Sequence, residues 1–290
     1  MKRVAAIDFG SNAIRLTIAD VVSMGKYKIV EKFRFPVRIG SDVFTNGEIS
    51  SSKQDEIYEV FRKFRSHIRY YHAEEIEAVG TSALRDAKNS SAVIMNIEEV
   101  SGIKVRLISG KEEAGLISKI LSQELPILNG TALLVDIGGG STELIFLKAG
   151  EVVKLESFNN GSLRPVNEGE KILVQMKAFV QANLPVGEKI TIIGTGGNLR
   201  RLGKLRKKIF DAGSGGVIKK NEVTYIYNEL KDLTPAQAVA KFDLKLDRAE
   251  VITPALKIFS ALVDEVDPET IYLPKIGLSD SLLNKLSTAV

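Results

Sequence analysis

Two segments of this chain carry one carboxylate followed by a run of small residues: Val4-Ala5-Ala6-Ile7-Asp8-Phe9-Gly10-Ser11-Asn12 and Leu133-Leu134-Val135-Asp136-Ile137-Gly138-Gly139-Gly140-Ser141. In both, an apolar run ends in Asp, a tight turn follows, and a second apolar run leaves it (Ile14-Arg15-Leu16-Thr17-Ile18; Thr142-Glu143-Leu144-Ile145-Phe146). A turn of Gly and Ser lets backbone N–H groups approach an anion closely, because no Cβ stands in the way. Asp8, Gly10, Ser11 and Asn12 therefore form one candidate phosphate loop, and Gly138, Gly139, Gly140 and Ser141 a second. The plainer alternative is that Asp8 and Asp136 only cap their turns. Asp136 and Glu143, brought side by side by the turn, could flank one Mg²⁺, which takes one or two carboxylates together with phosphate oxygens. The stretches beyond also correspond, Gly25 to Glu31 with Gly150 to Glu156. Internal duplication explains this, with two similar domains facing one phosphorylated ligand.

Three further groups could do chemistry. Ser109 and Glu112 fit an S-x-x-E capping box, giving Glu112 a structural task and leaving Glu113 to orient and deprotonate a water. Arg85, after Gly80-Thr81-Ser82, could grip a phosphate with its planar fork, or serve as a surface helix residue. Gly194-Thr195-Gly196-Gly197 echoes the Gly80 turn, making Gly196 and Gly197 candidate phosphate contacts. Arg200, Arg201, Lys204, Arg206, Lys207 and Lys208 follow directly. Such a run is commonly a solvated helix face; after a candidate phosphate loop it reads equally as a track for a long polyanion. Interleaved aromatics are missing, which argues against nucleic acid with stacked bases.

The surrounding pattern must hold these residues in place. Ile57, Val60, Phe61, Phe64 and Ile68 predict a helix from about Ser51 to Tyr71 with one buried face. Strands are expected at Ile76–Val79 and Val105–Ile108, and helices at Ser90–Val100 and Gly110–Leu125. After Pro126 and Asn129-Gly130 the order repeats: a hairpin over Thr131–Ser157, a helix over Glu168–Asn183, a strand over Lys189–Ile193, a basic helix, and helices beginning near Asn221, Thr234 and Asp247. This predicts α/β domains at 1–125 and 126–290, with a last helix at about 278–290 able to pack back on the first. The 290 residues contain no Cys, which excludes disulfides and thiol catalysis. His67 and His72 read as solvated helix residues rather than metal ligands. A net charge of +4 favours anionic partners without naming one. No long apolar run marks a membrane span or leader, so the expectation is a cytoplasmic protein.

At Asp8-Phe9-Gly10-Ser11-Asn12, Gly80-Thr81-Ser82-Ala83-Leu84-Arg85, Ser109-Gly110-Lys111-Glu112-Glu113-Ala114 and Asp136 through Glu143, the chain resembles the exopolyphosphatase / guanosine pentaphosphate phosphohydrolase family. That resemblance implies two duplicated ribonuclease-H-like domains of the actin-like ATPase superfamily with a cleft between them. It also implies release of terminal phosphate from polyphosphate or guanosine pentaphosphate with Mg²⁺ or another divalent cation, in a monomer or homodimer. By the same resemblance Glu113 is the base that activates water, Arg85 contacts phosphate, and Asp136 and Glu143 attend the metal. Gly161-Ser162-Leu163-Arg164 matches a family segment without an evident role. Ser279 and Ser281 depart from the family's Arg and Gly, and a small-residue turn expected around Pro254 has lost its Gly. The helical domain that longer relatives append is absent from these residues. A related ATPase or kinase, and a non-catalytic polyphosphate or alarmone sensor, are the competing readings.

Overall fold

The structure is a computed structural model that describes residues 2–124, 130–211, 213 and 216–288. The chain forms two compact units, Met1–Ile120 with Leu278–Val290, and Leu121–Gly277. The domain boundary expected at 125/126 lies outside the described residues.

In the first unit, β1 (Arg3–Phe9), β2 (Ile14–Ser23) and β3 (Lys26–Phe35) form an antiparallel meander. After it come α1 (Ile39–Asn46), α2 (Ser51–Tyr70), β4 (Glu75–Gly80), α3 (Ser82–Asp86), α4 (Ser90–Ser101), β5 (Val105–Leu107) and α5 (Gly110–Glu124). β4 and β5 join in parallel, giving the sheet order β3-β2-β1-β4-β5. The second unit repeats this with β6 (Thr131–Ile137), β7 (Thr142–Lys148), β8 (Glu151–Phe158), α6 (Val166–Asn183), β9 (Thr191–Thr195), α7 (Gly196–Phe210), β10 (Val217–Ile218), α8 (Lys220–Lys231), α9 (Pro235–Phe242), α10 (Leu246–Val266) and β11 (Thr270–Tyr272). Its sheet runs β10-β11-β9-β6-β7-β8, so β8, β7, β6, β9 and β11 occupy the places of β3, β2, β1, β4 and β5. The final helix, α11 (Leu278–Thr288), belongs to the first unit.

Strand alternation divides β1 between two cores. Ala5, Ile7 and Phe9 pack with Ile57, Phe61 and Phe64 of α2, whereas Val4 and Ala6 pack with Leu282, Leu283 and Leu286 of α11. The buried residues of α2 are Ile57, Val60, Phe61, Phe64 and Ile68, the stripe its spacing predicts. Hydrogen bonds to Gly25 fix α11 further: Gly25 N–H donates to Ser287 O at 3.3 Å, and the Asn284 side-chain Nδ2 donates to Gly25 O at 3.2 Å.

Some expectations change. Pro254 sits inside α10 rather than in a turn; its missing N–H costs one helical bond, tolerated here because the helix buries Ile252, Ala255, Leu256 and Phe259 around it. His67 is half-buried, stacked on Phe33 with centroids 3.8 Å apart, and His72 is exposed but lies beyond α2 in a left-handed conformation (φ 54°). α1 was not foreseen, since Ile39-Gly40-Ser41-Asp42-Val43 is poor in helix formers.

Because Leu282 is fully buried between α11 and β1, Leu282→Ala is expected to destabilise the protein by about 2–5 kcal/mol. Urea unfolding followed by circular dichroism measures it; a change under half a kcal/mol would mean that α11 contributes little to this core.

Candidate active site

The first loop lies between β1 and β2. Gly10 N–H closes the turn on Ala13 O at 3.2 Å. Asp8 and Arg15 are direct cross-strand partners, and Arg15 Nη1 donates to Asp8 Oδ2 at 2.7 Å, so this carboxylate is neutralised within its own hairpin. Ser11 Oγ accepts the Ala83 N–H at 3.2 Å, which ties the loop to the start of α3. Arg85, in α3, donates from Nη1 to Ile108 O at 2.7 Å and so reaches the β5–α5 junction. A chain of contacts thus joins Ser11, α3 and the start of α5, where Glu113 stands half-buried in the first turn with its N–H on Ser109 O at 2.9 Å.

The capping arrangement at this junction differs from expectation. Ser109 Oγ accepts the Glu112 N–H at 3.1 Å, but the Glu112 carboxylate takes a 2.6 Å hydrogen bond from Arg106 Nη1. A neighbouring guanidinium is a stronger donor than a backbone amide, so it wins the carboxylate. Arg106 also reaches Glu77, at 3.4 Å, which Lys285 of α11 approaches at 2.8 Å. The hydrogen bond to Glu112 is the chief reason that the Arg106 pKa is raised.

The second loop repeats the turn, with Gly138 N–H on Ser141 O at 2.9 Å. Here the cross-strand partner of Asp136 is Glu143, where the first hairpin has Arg15. Both are buried, and Ser157 Oγ donates to Glu143 Oε1 at 2.9 Å. Residues directly opposite in an antiparallel pair share a face, and like charges there are unfavourable. A divalent cation fits this pair of oxygen donors; among the described residues there is no group of three or more metal-binding side chains, so water and phosphate oxygens would complete its shell.

Gly196 opens α7 beside Asp136. Its φ is +87°, and a Cβ there would stand 2.5 Å from Asp136 Oδ1. Asp136 is also level with Thr195 in the parallel β6–β9 register. The carboxylate therefore lies against the N-terminal, partially positive end of α7. The loop's carbonyls are all engaged: Gly138 O accepts from Ser162 N at 3.1 Å, Gly139 O from Leu163 N at 2.8 Å, and Gly140 O from Arg164 Nε at 2.8 Å. Among the described residues, the amides of Gly139, Gly140 and Ser141 donate to no protein acceptor, although Gly140 and Ser141 are buried. Asn12 Oδ1, Ser82 Oγ and Thr195 Oγ1 are likewise buried without a partner. Buried polar groups left unpaired are exceptional; besides Ser90 Oγ at the start of α4, these stand at the first loop and at the helix starts that follow β4 and β9 in their respective units.

Basic residues on α7 separate by their neighbours. Leu199, Leu202 and Leu205 are buried, while Lys204, Lys207 and Lys208 are exposed and Arg200 and Arg201 half-buried. Positions 200, 204, 207 and 208 share a helix face. Arg200 Nη2 donates to Lys275 O at 3.2 Å, and Arg206 departs from the run to pair with Glu222 at 2.9 Å. Sequence reasoning missed Arg15 as the partner of Asp8, Arg106 as the partner of Glu112, and Asn198, whose Nδ2 donates to Ser162 Oγ at 3.2 Å. Arg15 was legible from hairpin register, since it is as far from its turn as Asp8 is; the other two depend on long-range packing.

Two α/β units that repeat one strand order, each with a Gly/Ser turn between its first two strands, define a duplicated-domain fold. The Ppx/GppA phosphatase family model matches residues 17–288, and the chain belongs to that family. A guanosine-5'-triphosphate,3'-diphosphate pyrophosphatase of Aeromonas hydrophila is 29% identical over 212 residues, covering 68% of this chain and 42% of that one. Exopolyphosphatase 2 of Mycobacterium tuberculosis is 33% identical over 172 residues, covering 57% of this chain and 54% of the relative. The chain thus matches about half the length of these curated relatives. An exopolyphosphatase structure from Cytophaga hutchinsonii has a TM-score of 0.89 at 22% identity, covering 100% of this chain and 99% of that one. The Aquifex aeolicus family member gives 0.78 at 24%, covering 98% and 97%. These likenesses show a shared fold.

Gly196→Ala places a methyl group where Asp136 Oδ1 lies and forces a side chain to positive φ. The expected cost is about 1–3 kcal/mol in chemical denaturation. Wild-type stability in that variant would mean that Asp136 is not held against α7.

Proposed function

We propose that this chain is a phosphohydrolase that releases the terminal phosphate of inorganic polyphosphate or guanosine pentaphosphate. The observation that carries the reading is the second loop, whose carbonyls are all engaged while three consecutive amides, two of them in buried residues, await an acceptor. Phosphoryl oxygens supply such acceptors, and donors fixed in advance cost no reorganisation as charge develops. Family membership and relatives named as pyrophosphatase and exopolyphosphatase support the same chemistry.

In this reading Gly138 to Ser141, with Gly196 and Gly197 at the α7 start, hold the oxygens of the reacting group. Gly10, Ser11 and Asn12 serve as the second cradle, and Ser11 keeps its hydroxyl hydrogen available while its oxygen accepts from Ala83. Arg85 contacts phosphate while its Nη1 bond to Ile108 O orders the β5–α5 junction, and Glu113 takes the proton of the attacking water. Asp136 and Glu143 would hold a divalent cation, Mg²⁺ by the match to two carboxylates, which offsets phosphoryl charge when bound. Arg200, Arg201, Lys204, Lys207 and Lys208 serve as the face along which the rest of an anionic chain lies. Positioning and charge neutralisation are the main requirements, because phosphoryl transfer needs little covalent help.

Glu113→Gln is expected to lower turnover at least about 100-fold with little change in thermal stability. Near-normal phosphate release would remove Glu113 from the base role. Glu143→Gln is expected to weaken Mg²⁺ activation about tenfold or more, read from the Mg²⁺ dependence of the rate. The overall reading is tested by phosphate release from long polyphosphate, short polyphosphate, guanosine pentaphosphate and ATP in parallel. Hydrolysis of ATP alone would reverse it.

A further inference from the structure

Residues Gly161 to Arg164 follow β8 and lie directly on the Gly138–Ser141 loop. A Cβ on Gly161 would stand 2.6 Å from both the carbonyl carbon and the oxygen of Gly139, so only glycine allows this approach. Three successive carbonyls of the loop accept from this one segment: Gly138 O from Ser162 N, Gly139 O from Leu163 N and Gly140 O from Arg164 Nε. Ser162 Oγ adds a 3.3 Å bond to Gly138 O while accepting from Asn198 Nδ2 at 3.2 Å, and Asn198 Nδ2 also approaches Ile137 O at 3.4 Å. Thr142 Oγ1 donates to Asn160 O at 2.5 Å, joining the outgoing strand to the start of the same segment.

Peptide geometry turns this into a statement about direction. In a trans peptide the C=O and the following N–H point opposite ways. Fixing the carbonyls of Gly138, Gly139 and Gly140 on the Gly161–Arg164 side therefore aims the amides of Gly139, Gly140 and Ser141 away from it. In the first loop the corresponding backbone tie, among the described residues, is Gly40 N–H on Ser11 O at 2.9 Å. Of the four bonds from this segment to the loop carbonyls, two come from backbone amides and two from side chains. Deleting the Ser162 hydroxyl leaves Gly138 O with the Ser162 amide, whereas among the described residues the Arg164 side chain alone ties Gly140 O, and its deletion leaves the chain path intact.

We propose that Gly161–Arg164 is a clamp that presents the three loop amides to a phosphoryl group, and that Arg164 is its positioning residue. The clamp gives the second loop a preformed donor array, whereas polyglycine alone would sample many backbone states. This inference rests on the phosphate-loop reading above.

The test is an ¹H–¹⁵N NMR titration of the full chain with inorganic phosphate, comparing wild type with Arg164→Ala and Arg164→Lys. Wild type is expected to show phosphate-dependent shifts at Gly139, Gly140 and Ser141. Arg164→Ala is expected to keep a dispersed spectrum while binding phosphate about tenfold more weakly, with those shifts reduced, in keeping with loss of a hydrogen bond from a charged donor. Arg164→Lys, which retains the charge but not the planar Nε–H, is expected to lie between the two, and it carries the same comparison if the alanine variant does not fold. Equal affinity and equal loop shifts in wild type and variant would overturn the clamp while leaving the phosphate loop intact. Absence of loop shifts in wild type would overturn both.

Discussion

A peptide group can aim its N–H at a ligand only if its carbonyl has somewhere else to go. That constraint organises the second unit. Three glycines in succession have too much freedom to form an ordered cradle unaided, and a burying fold cannot leave their oxygens dry and unpaired. Gly161 to Arg164 meets both demands at once, supplying donors to the oxygens of Gly138, Gly139 and Gly140 while restricting their backbone. The segment can approach because it carries a glycine of its own at the contact. Strand β8, the tie between Thr142 and Asn160, and the start of α7 with Asn198 all serve to hold this short stretch against the loop.

Duplication has left two hairpins of matching register and opposite electrostatics. Asp8 faces Arg15 and is paired; Asp136 faces Glu143, and both are buried. The same backbone thus carries an ion pair in one unit and two facing carboxyl groups in the other. Burying two carboxylates opposite one another is costly, and such a cost persists where it answers to a cation or a proton. The α7 terminus beside Asp136 offsets part of the charge.

Much of this was legible in the sequence, for identifiable reasons. The α2 stripe is a one-dimensional pattern, and burial follows periodicity directly. The turns at Gly10 and Gly138 announce themselves by residues that only make sense where backbone must be approached. What stayed hidden depended on partners distant in the chain. The S-x-x-E motif gave half of its capping box, because Arg106 on β5 outcompetes the Ser109 amide for Glu112. The stacking of His67 was hidden because its aromatic partner, Phe33, lies on strand β3, far from α2 in the chain. The turn that the family resemblance implied around Pro254 is instead helix, because the buried sides of α10 outweigh one lost hydrogen bond. The role of Gly161–Arg164 was unreadable because half of its bonds to the loop carbonyls use backbone, which leaves no trace in residue identity.

The return of α11 to the first unit makes the second unit an insertion within it. Val4, Ala6, Ala19 and Val21 share their core with Leu278, Leu282, Leu283 and Leu286 of α11 as well as with Ile108 and Leu116, so much of their cover lies more than 250 residues further along the chain. During synthesis, which proceeds at about 5–20 residues per second, the opening strands emerge many seconds before that helix does. One face of their sheet consequently lacks the α11 part of its cover on the ribosome while the whole inserted unit is made. Vectorial assembly here runs against the usual order: the later-made unit has its full complement of residues first, and the earlier one waits for its last helix.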